Sequence, residues 1–261
     1  MTAASPAPQT AVVTGAGSGI GRAIATTLAG RGWRVIVTDV NLAGAEETVA
    51  GLTPGGGHEA RQLDVTDAAA AGRLADDVAD RFGLDAWINN AGISAMARFV
   101  DVTPDQYDRS LDINTKAVFF CGQAAARAMI RTGRAGTIVN TASMAAKQGR
   151  VPFLSDYVAS KFAVLGLTQA MAFELAADQI TVNCVCPGFV ATPMQSRELE
   201  WEAKLTGSTP DAVRQSWVDA TPLARLQTPD DVARAVAFLV SEDARFITGE
   251  ALSVNGGAYM D

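Results

Sequence analysis

At 261 residues, 48% of them hydrophobic and 19% charged, the chain can build one large core but is short for a nucleotide-binding module joined to a separate substrate domain. A net charge of −7 leaves no basic surplus for a phosphate polymer or an anionic bilayer, so neither nucleic acid nor membrane is an expected partner. The single histidine, His58, stands beside Gly55-Gly56-Gly57 without an acidic or thiol companion at ligand spacing; no metal site and no Ser-His-Asp triad are expected.

The N-terminal stretch has no basic region followed by an apolar block, and residues 1–9 read as a flexible lead-in to a single domain over 10–261. Short β-branched runs then recur at Ala11-Val13, Trp33-Val37, Ala86-Ile88, Thr137-Val139 and Ile180-Val185, with a weaker one near His58-Leu63 and a last one at Ala251-Val254. Between them lie Ala-rich stretches with helical periodicity, such as Ile24 and Leu28 on one face and Leu74, Val78 and Phe82 on another. Strands alternating with helices predict an α/β fold, a doubly wound parallel sheet of about seven strands. The near-continuous apolar character of the first strands predicts helices on both faces. One polar, helical segment, 193–221, interrupts the alternation and is expected to act as a substrate lid. No window is expected to reach membrane-spanning length. The odd cysteine count, with Cys184-x-Cys186 inside a strand, fits reduced thiols in the cytoplasm.

In such sheets ligands bind beyond the carboxyl ends of the strands, so the chemistry should follow each strand. The first such segment is Thr14-Gly15-Ala16-Gly17-Ser18-Gly19-Ile20-Gly21, a G-x-x-x-G-x-G pattern. Its backbone amides and the helix starting near Gly19 can receive a pyrophosphate; the alternative is a turn that only reverses the chain. Asp39, at the end of the second strand, can accept hydrogen bonds from adenosine ribose hydroxyls and repel a 2′-phosphate, which favours NAD; a helix N-cap is the other reading. Asp64, beside Val65, could meet the adenine amino group or cap the next helix with Asp67. Asn89-Asn90-Ala91-Gly92 follows the fourth strand, Ser143 the fifth, and Tyr157 and Lys161 share a helix face at i and i+4.

Thr14 to Gly21, Asp64, Asn89 to Gly92, Asn114, Ser143, Tyr157-x-x-x-Lys161 and Pro187-Gly188 followed by Thr192 occur in the order found in classical short-chain dehydrogenases/reductases, a family this chain resembles from about Thr10 to its C-terminus. The resemblance implies a single Rossmann-type domain and a catalytic tetrad of Asn114, Ser143, Tyr157 and Lys161. It implies a cofactor site built from Gly15, Ser18, Gly19, Ile20, Gly21, Asp39, Asp64, Val65, Asn90, Ala91 and Gly92. Tyr157, Lys161, Pro187, Gly188, Val190 and Thr192 would complete it at the nicotinamide end. It further implies a homotetramer formed through two long helices, near 103–132 and 155–177.

A free phenol, with pKa near 10, is too protonated at neutral pH to be a good base. The Lys161 ammonium is expected to favour the phenolate, and Ser143 to donate to the substrate oxygen. The amide of Asn114 would hold a water linking Lys161 to solvent. The longer lid resembles those of acetoin/butanediol and sugar-alcohol dehydrogenases, and with Gln148 and Met194 beside Ser143 and Tyr157 it points to a small polyol as substrate. A 3-oxoacyl-carrier-protein reductase, a cyclic or terpenoid alcohol dehydrogenase, and an NAD-sensing protein without turnover are the alternatives.

Overall fold

The computed structural model describes residues 8–260; the first seven residues of the expected lead-in lie outside the described residues. Seven parallel strands form one sheet: β1 (Thr10–Val13), β2 (Arg34–Asp39), β3 (Glu59–Gln62), β4 (Ala86–Asn89), β5 (Thr137–Thr141), β6 (Thr181–Pro187) and β7 (Ala251–Val254). Their order is β3-β2-β1-β4-β5-β6-β7, so the chain builds outward from β1 to β3, crosses back, and continues from β4 on the other side of β1. The crevice between β1 and β4 is where the order reverses, and there the sheet leaves room for a ligand.

Strand alternation assigns each side chain to a layer. Val13, Val35 and Val37 join Ile24 and Leu28 of α1 (Gly19–Gly30) and Val232 and Val236 of α9 (Pro229–Leu239) in one core. Val12, Ile36, Trp87 and Ile138 face the other way and pack with α3 (Ala68–Phe82) and α5 (Ala117–Arg131). Leu74 and Phe82 lie only at the edge of that core, whereas Val78 is buried. α2 (Leu42–Ala50) covers β2 and β3.

A buried polar chain fixes the third layer. Trp87 Nε1 donates to Asn89 Oδ1 (2.8 Å), Asn89 Nδ2 to Asn140 Oδ1 (2.9 Å), and Asn140 Nδ2 to Thr168 Oγ1 (2.9 Å) on α6 (Ser155–Leu175). Each link satisfies a group that burial would otherwise leave unpaired, and together they set how α6 lies on the sheet.

A Thr-Pro pair opens α4 (Pro104–Leu111), α7 (Pro193–Thr206), α8 (Pro210–Asp219) and α9: the threonine hydroxyl accepts a first-turn amide and the proline occupies a position whose N–H has no helical partner. α7 and α8 form the segment expected as a lid. They close over a small core of Ala203, Val213 and Trp217, with Trp217 stacked on Phe189 at 5.1 Å between ring centroids.

One expectation is corrected. The helical stretch 155–178 is long and apolar enough, by length and composition, to cross a membrane. Yet it carries Asp156, Ser160 and Lys161 in buried positions and packs on β6; its exposed apolar side, with Phe162 and Phe173, raises the hydropathy.

Candidate active site

The glycine loop after β1 is held by the segment after β4. Thr14 Oγ1 accepts the amides of Asn90 (3.0 Å) and Ala91 (3.1 Å), and Asn90 Nδ2 donates to the carbonyls of Thr14 (3.0 Å) and Gly15 (3.2 Å). Gly15 has φ +62°, and a Cβ there would lie 2.7 Å from the Ala91 Cα. Only glycine fits. Ser18 precedes α1 without a side-chain cap, so the first amides of that helix point into the cleft without a side-chain acceptor.

Asp39 closes this side. Its Oδ2 accepts Gly17 N and its Oδ1 accepts Asn41 N, each at 2.9 Å. The N-cap of α2 is Asn41, so the capping alternative for Asp39 does not hold. Likewise Asp67 caps α3, while Asp64 accepts the amide (2.9 Å) and hydroxyl (2.7 Å) of Thr66, which hold its carboxyl below the usual range.

A single cavity of about 630 Å³ runs from Asp39 and Asp64, past Gly15, Ser18, Gly19, Ile20 and Val65, to Asn90, Ala91 and Gly92. It continues to Ser143, Tyr157, Lys161, Pro187, Gly188, Val190, Thr192 and Met194. Three expected residues, Asn114, Gly21 and Gln148, fall outside its walls. Gly21 is buried where α1 crosses the strands, and an added Cβ would overlap the Gly15 carbonyl; its glycine serves helix packing, not ligand contact. Gln148 follows the single turn Met144–Ala146 and does not line the cavity.

Lys161, 4% exposed, donates from Nζ to the Thr141 carbonyl (2.9 Å) and stands 5.5 Å from the centre of the Tyr157 ring. Burial lowers its pKa to about 8. Burial also pushes the Tyr157 phenol up, and the negative charge of Glu198 adds to this, against a hydrogen bond with Ser143 that lowers it. Desolvation of the phenolate is thus the largest influence on the phenol in this structure.

Asn114 sits in a π turn, Asp112–Lys116, between α4 and α5. Its Oδ1 accepts Ile93 N (2.9 Å), and its Nδ2 donates to Ile93 O (2.9 Å) and Ser160 Oγ (3.1 Å). Both amide N–H groups are thus committed to protein, where the resemblance implies a water; the residue clamps the loop after Gly92 against α6.

Sequence reasoning missed Glu198 and Gln195 on α7, Ser94 in the loop after β4, and Arg109 on α4. Apart from Ser94, which reaches it through Glu198, all line the substrate end of the cavity. None belongs to a motif with fixed spacing, and only the packing of α7 over the loop joins them. His58 lies at the opposite end of β2, accepting Val35 N at Nδ1 (3.1 Å).

A family model described as enoyl-(acyl carrier protein) reductase matches residues 15–259. Human (3R)-3-hydroxyacyl-CoA dehydrogenase is 40% identical over 260 residues, covering 96% of this chain and 95% of that protein. The chain belongs to the classical short-chain dehydrogenase/reductase family. Among solved members, sorbitol-6-phosphate 2-dehydrogenase of Erwinia amylovora superposes with a TM-score of 0.89 at 32% identity, covering 96% of this chain and 100% of that one. A Beutenbergia cavernae protein designated an NAD(P)-dependent gluconate 5-dehydrogenase, solved with NADP at low occupancy, gives 0.83 at 35% identity, covering 97% and 98%. An oxidoreductase acting on alcohol or keto groups with a nicotinamide cofactor follows from membership.

Proposed function

We propose that the protein is an NAD-dependent dehydrogenase that interconverts a secondary alcohol, of the small polyol or sugar-alcohol class, and the corresponding ketone. The observation that carries this reading is the convergence of Ser143, Tyr157 and Lys161 on one wall of the cavity that begins at Asp39. The cleft fits a dinucleotide: the amides at the start of α1 face it without a side-chain acceptor, and Gly15 lets the loop after β1 pass close to Ala91. NAD, when bound, would take the hydride from the carbinol carbon. Tyr157 takes the hydroxyl proton, Ser143 donates a hydrogen bond to the oxygen as charge gathers there, and Lys161 supplies positive charge beside the phenol. In the ketone direction the same groups return the proton.

Asp39 supports NAD over NADP, since its carboxylate repels a 2′-phosphate. The nearby cation Arg22 is held by Glu47 at 3.0 Å. We take residues 10–261 as one domain with 193–221 as its lid, and the protein as a cytoplasmic homotetramer without a nucleic-acid or membrane partner. Exposed Phe119 and Phe120 on α5 and Phe162 and Phe173 on α6 support assembly through those helices. A second reading, a 3-hydroxyacyl thioester as substrate, is favoured by the similarity to the human hydroxyacyl-CoA dehydrogenase.

The test is NADH formation across alditols, diols and a 3-hydroxyacyl thioester, with Tyr157→Phe as control. Turnover that falls at least about 1,000-fold in the variant while NAD binding persists is the expected result. Turnover retained by the variant refutes the acid/base role, and binding without turnover in the native protein identifies a sensor.

A further inference from the structure

The substrate end of the cavity holds a carboxyl that the reaction does not use. Glu198, in the second turn of α7, lines the cavity and receives a hydrogen bond from the Ser94 hydroxyl of the loop after β4. It is close enough to Tyr157 for its charge to act on the phenol. One turn earlier, Gln195 also lines the cavity; it is 7% exposed, and its Oε1 is a buried atom with no hydrogen-bond partner. A buried amide oxygen without a donor is destabilising unless a ligand supplies one. Arg109 and Arg197 reach the same cavity, but both side chains are exposed and water screens them.

We propose that Glu198, held by Ser94, and Gln195 form a hydroxyl-recognition site that selects substrates bearing a second hydroxyl beside the reacting carbinol. This rests on the dehydrogenase reading above and names the substrate feature that the site reads. A hydroxyl suits these partners because it donates: to Gln195 Oε1, and to Glu198 as carboxylate; if the carboxyl is protonated, the hydroxyl can accept as well. A 3-hydroxyacyl thioester has a methylene beside the carbinol and its carbonyl one carbon further on, and neither position offers a donor to the Gln195 and Glu198 oxygens. The site therefore discriminates by leaving its acceptor oxygens unpaired with the wrong substrate as well as by attraction to the right one. The lid supplies both, so closing α7 over the substrate brings the selecting groups to it.

The experiment measures kcat/KM for 2,3-butanediol, 2-butanol and a 3-hydroxybutyryl thioester in the native protein, Glu198→Ala, Glu198→Gln and Gln195→Leu. The native protein should prefer the diol over the mono-alcohol by about 10- to 100-fold, the range expected for a hydrogen bond to a charged group. In Glu198→Ala and Gln195→Leu that ratio should fall towards unity, with Glu198→Gln between, and thioester turnover relative to the diol should rise. Because the readout is a ratio within one preparation, partial loss of fold does not imitate it, and Glu198→Gln keeps the volume should the alanine variant fail to fold. A diol preference that is absent in the native protein, or unchanged in the variants, overturns the recognition site and leaves the dehydrogenase standing. Turnover of the thioester alone overturns both the site and the polyol reading. No turnover of any alcohol or thioester overturns the dehydrogenase itself.

Discussion

Replacing Lys161 by methionine should stabilise the protein while abolishing turnover. Nζ is buried and donates to the Thr141 carbonyl, and burial lowers its pKa from 10.5 to about 8. At about 1.4 kcal/mol per pH unit, holding the ammonium in the folded state at neutral pH costs about 3 kcal/mol. Losing the bond to Thr141 returns about 1 kcal/mol, so Lys161→Met should be more stable by about 2 kcal/mol at pH 7. The sign of the pH dependence follows. Below about pH 8 lysine is protonated in both states and the full penalty applies. Between about 8 and 10.5 the folded protein releases the proton while the unfolded chain keeps it, so the native protein gains stability with rising pH and the variant's advantage shrinks. Urea unfolding of both proteins without cofactor, at equal protomer concentration, reads the difference and cancels groups common to both. A variant no more stable at pH 7, or a gap that stays flat across that window, refutes the reasoning.

Two further outcomes rest on the cofactor half of the site. Asp39→Ala should lower the ratio of kcat/KM for NAD to that for NADP by about 10-fold or more, since it removes an ionised acceptor and a repulsion; an unchanged ratio in NADH and NADPH assays removes Asp39 from cofactor choice. Gly21→Ala would set a Cβ against the Gly15 carbonyl and 2.6 Å from Asn90 Nδ2, atoms held by hydrogen bonds. A loss of about 2 kcal/mol in denaturant unfolding is expected, with weaker NAD binding as the loop shifts.

Much of this was legible because local rules act on single segments. β-branched runs placed the strands, and the i, i+4 spacing of Tyr157 and Lys161 already put both on one helix face. The gaps have a different origin. Glu198 meets Ser94 across more than a hundred residues, and no periodicity records a contact made by folding α7 over a loop. Gln148 stands five residues from Ser143 along the chain, yet a turn intervenes and it does not line the cavity, which its spacing does not convey. The phenol ring and the ammonium do come within 5.5 Å, whereas their energetics depend on how much water the finished cavity excludes, which no pair spacing conveys. Asn114 looked like a helical residue, and the π turn around it left no local signature.

That turn has a consequence for how the site is inherited. A π turn holds one more residue than the helix around it, so it registers as an insertion within a regular helix. The extra residue offsets the faces before and after it by roughly 100°, a rotation the helical repeat sets. One continuous rod can then send Arg109 and Ile113 to the cavity at one end while Cys121, Ala125 and Met129 meet the sheet at the other. Substitutions can tune either face alone. A single deletion between 112 and 116 would turn one against the other, so the phase between chemistry and core is stored in the chain's length at that point and not in any one side chain.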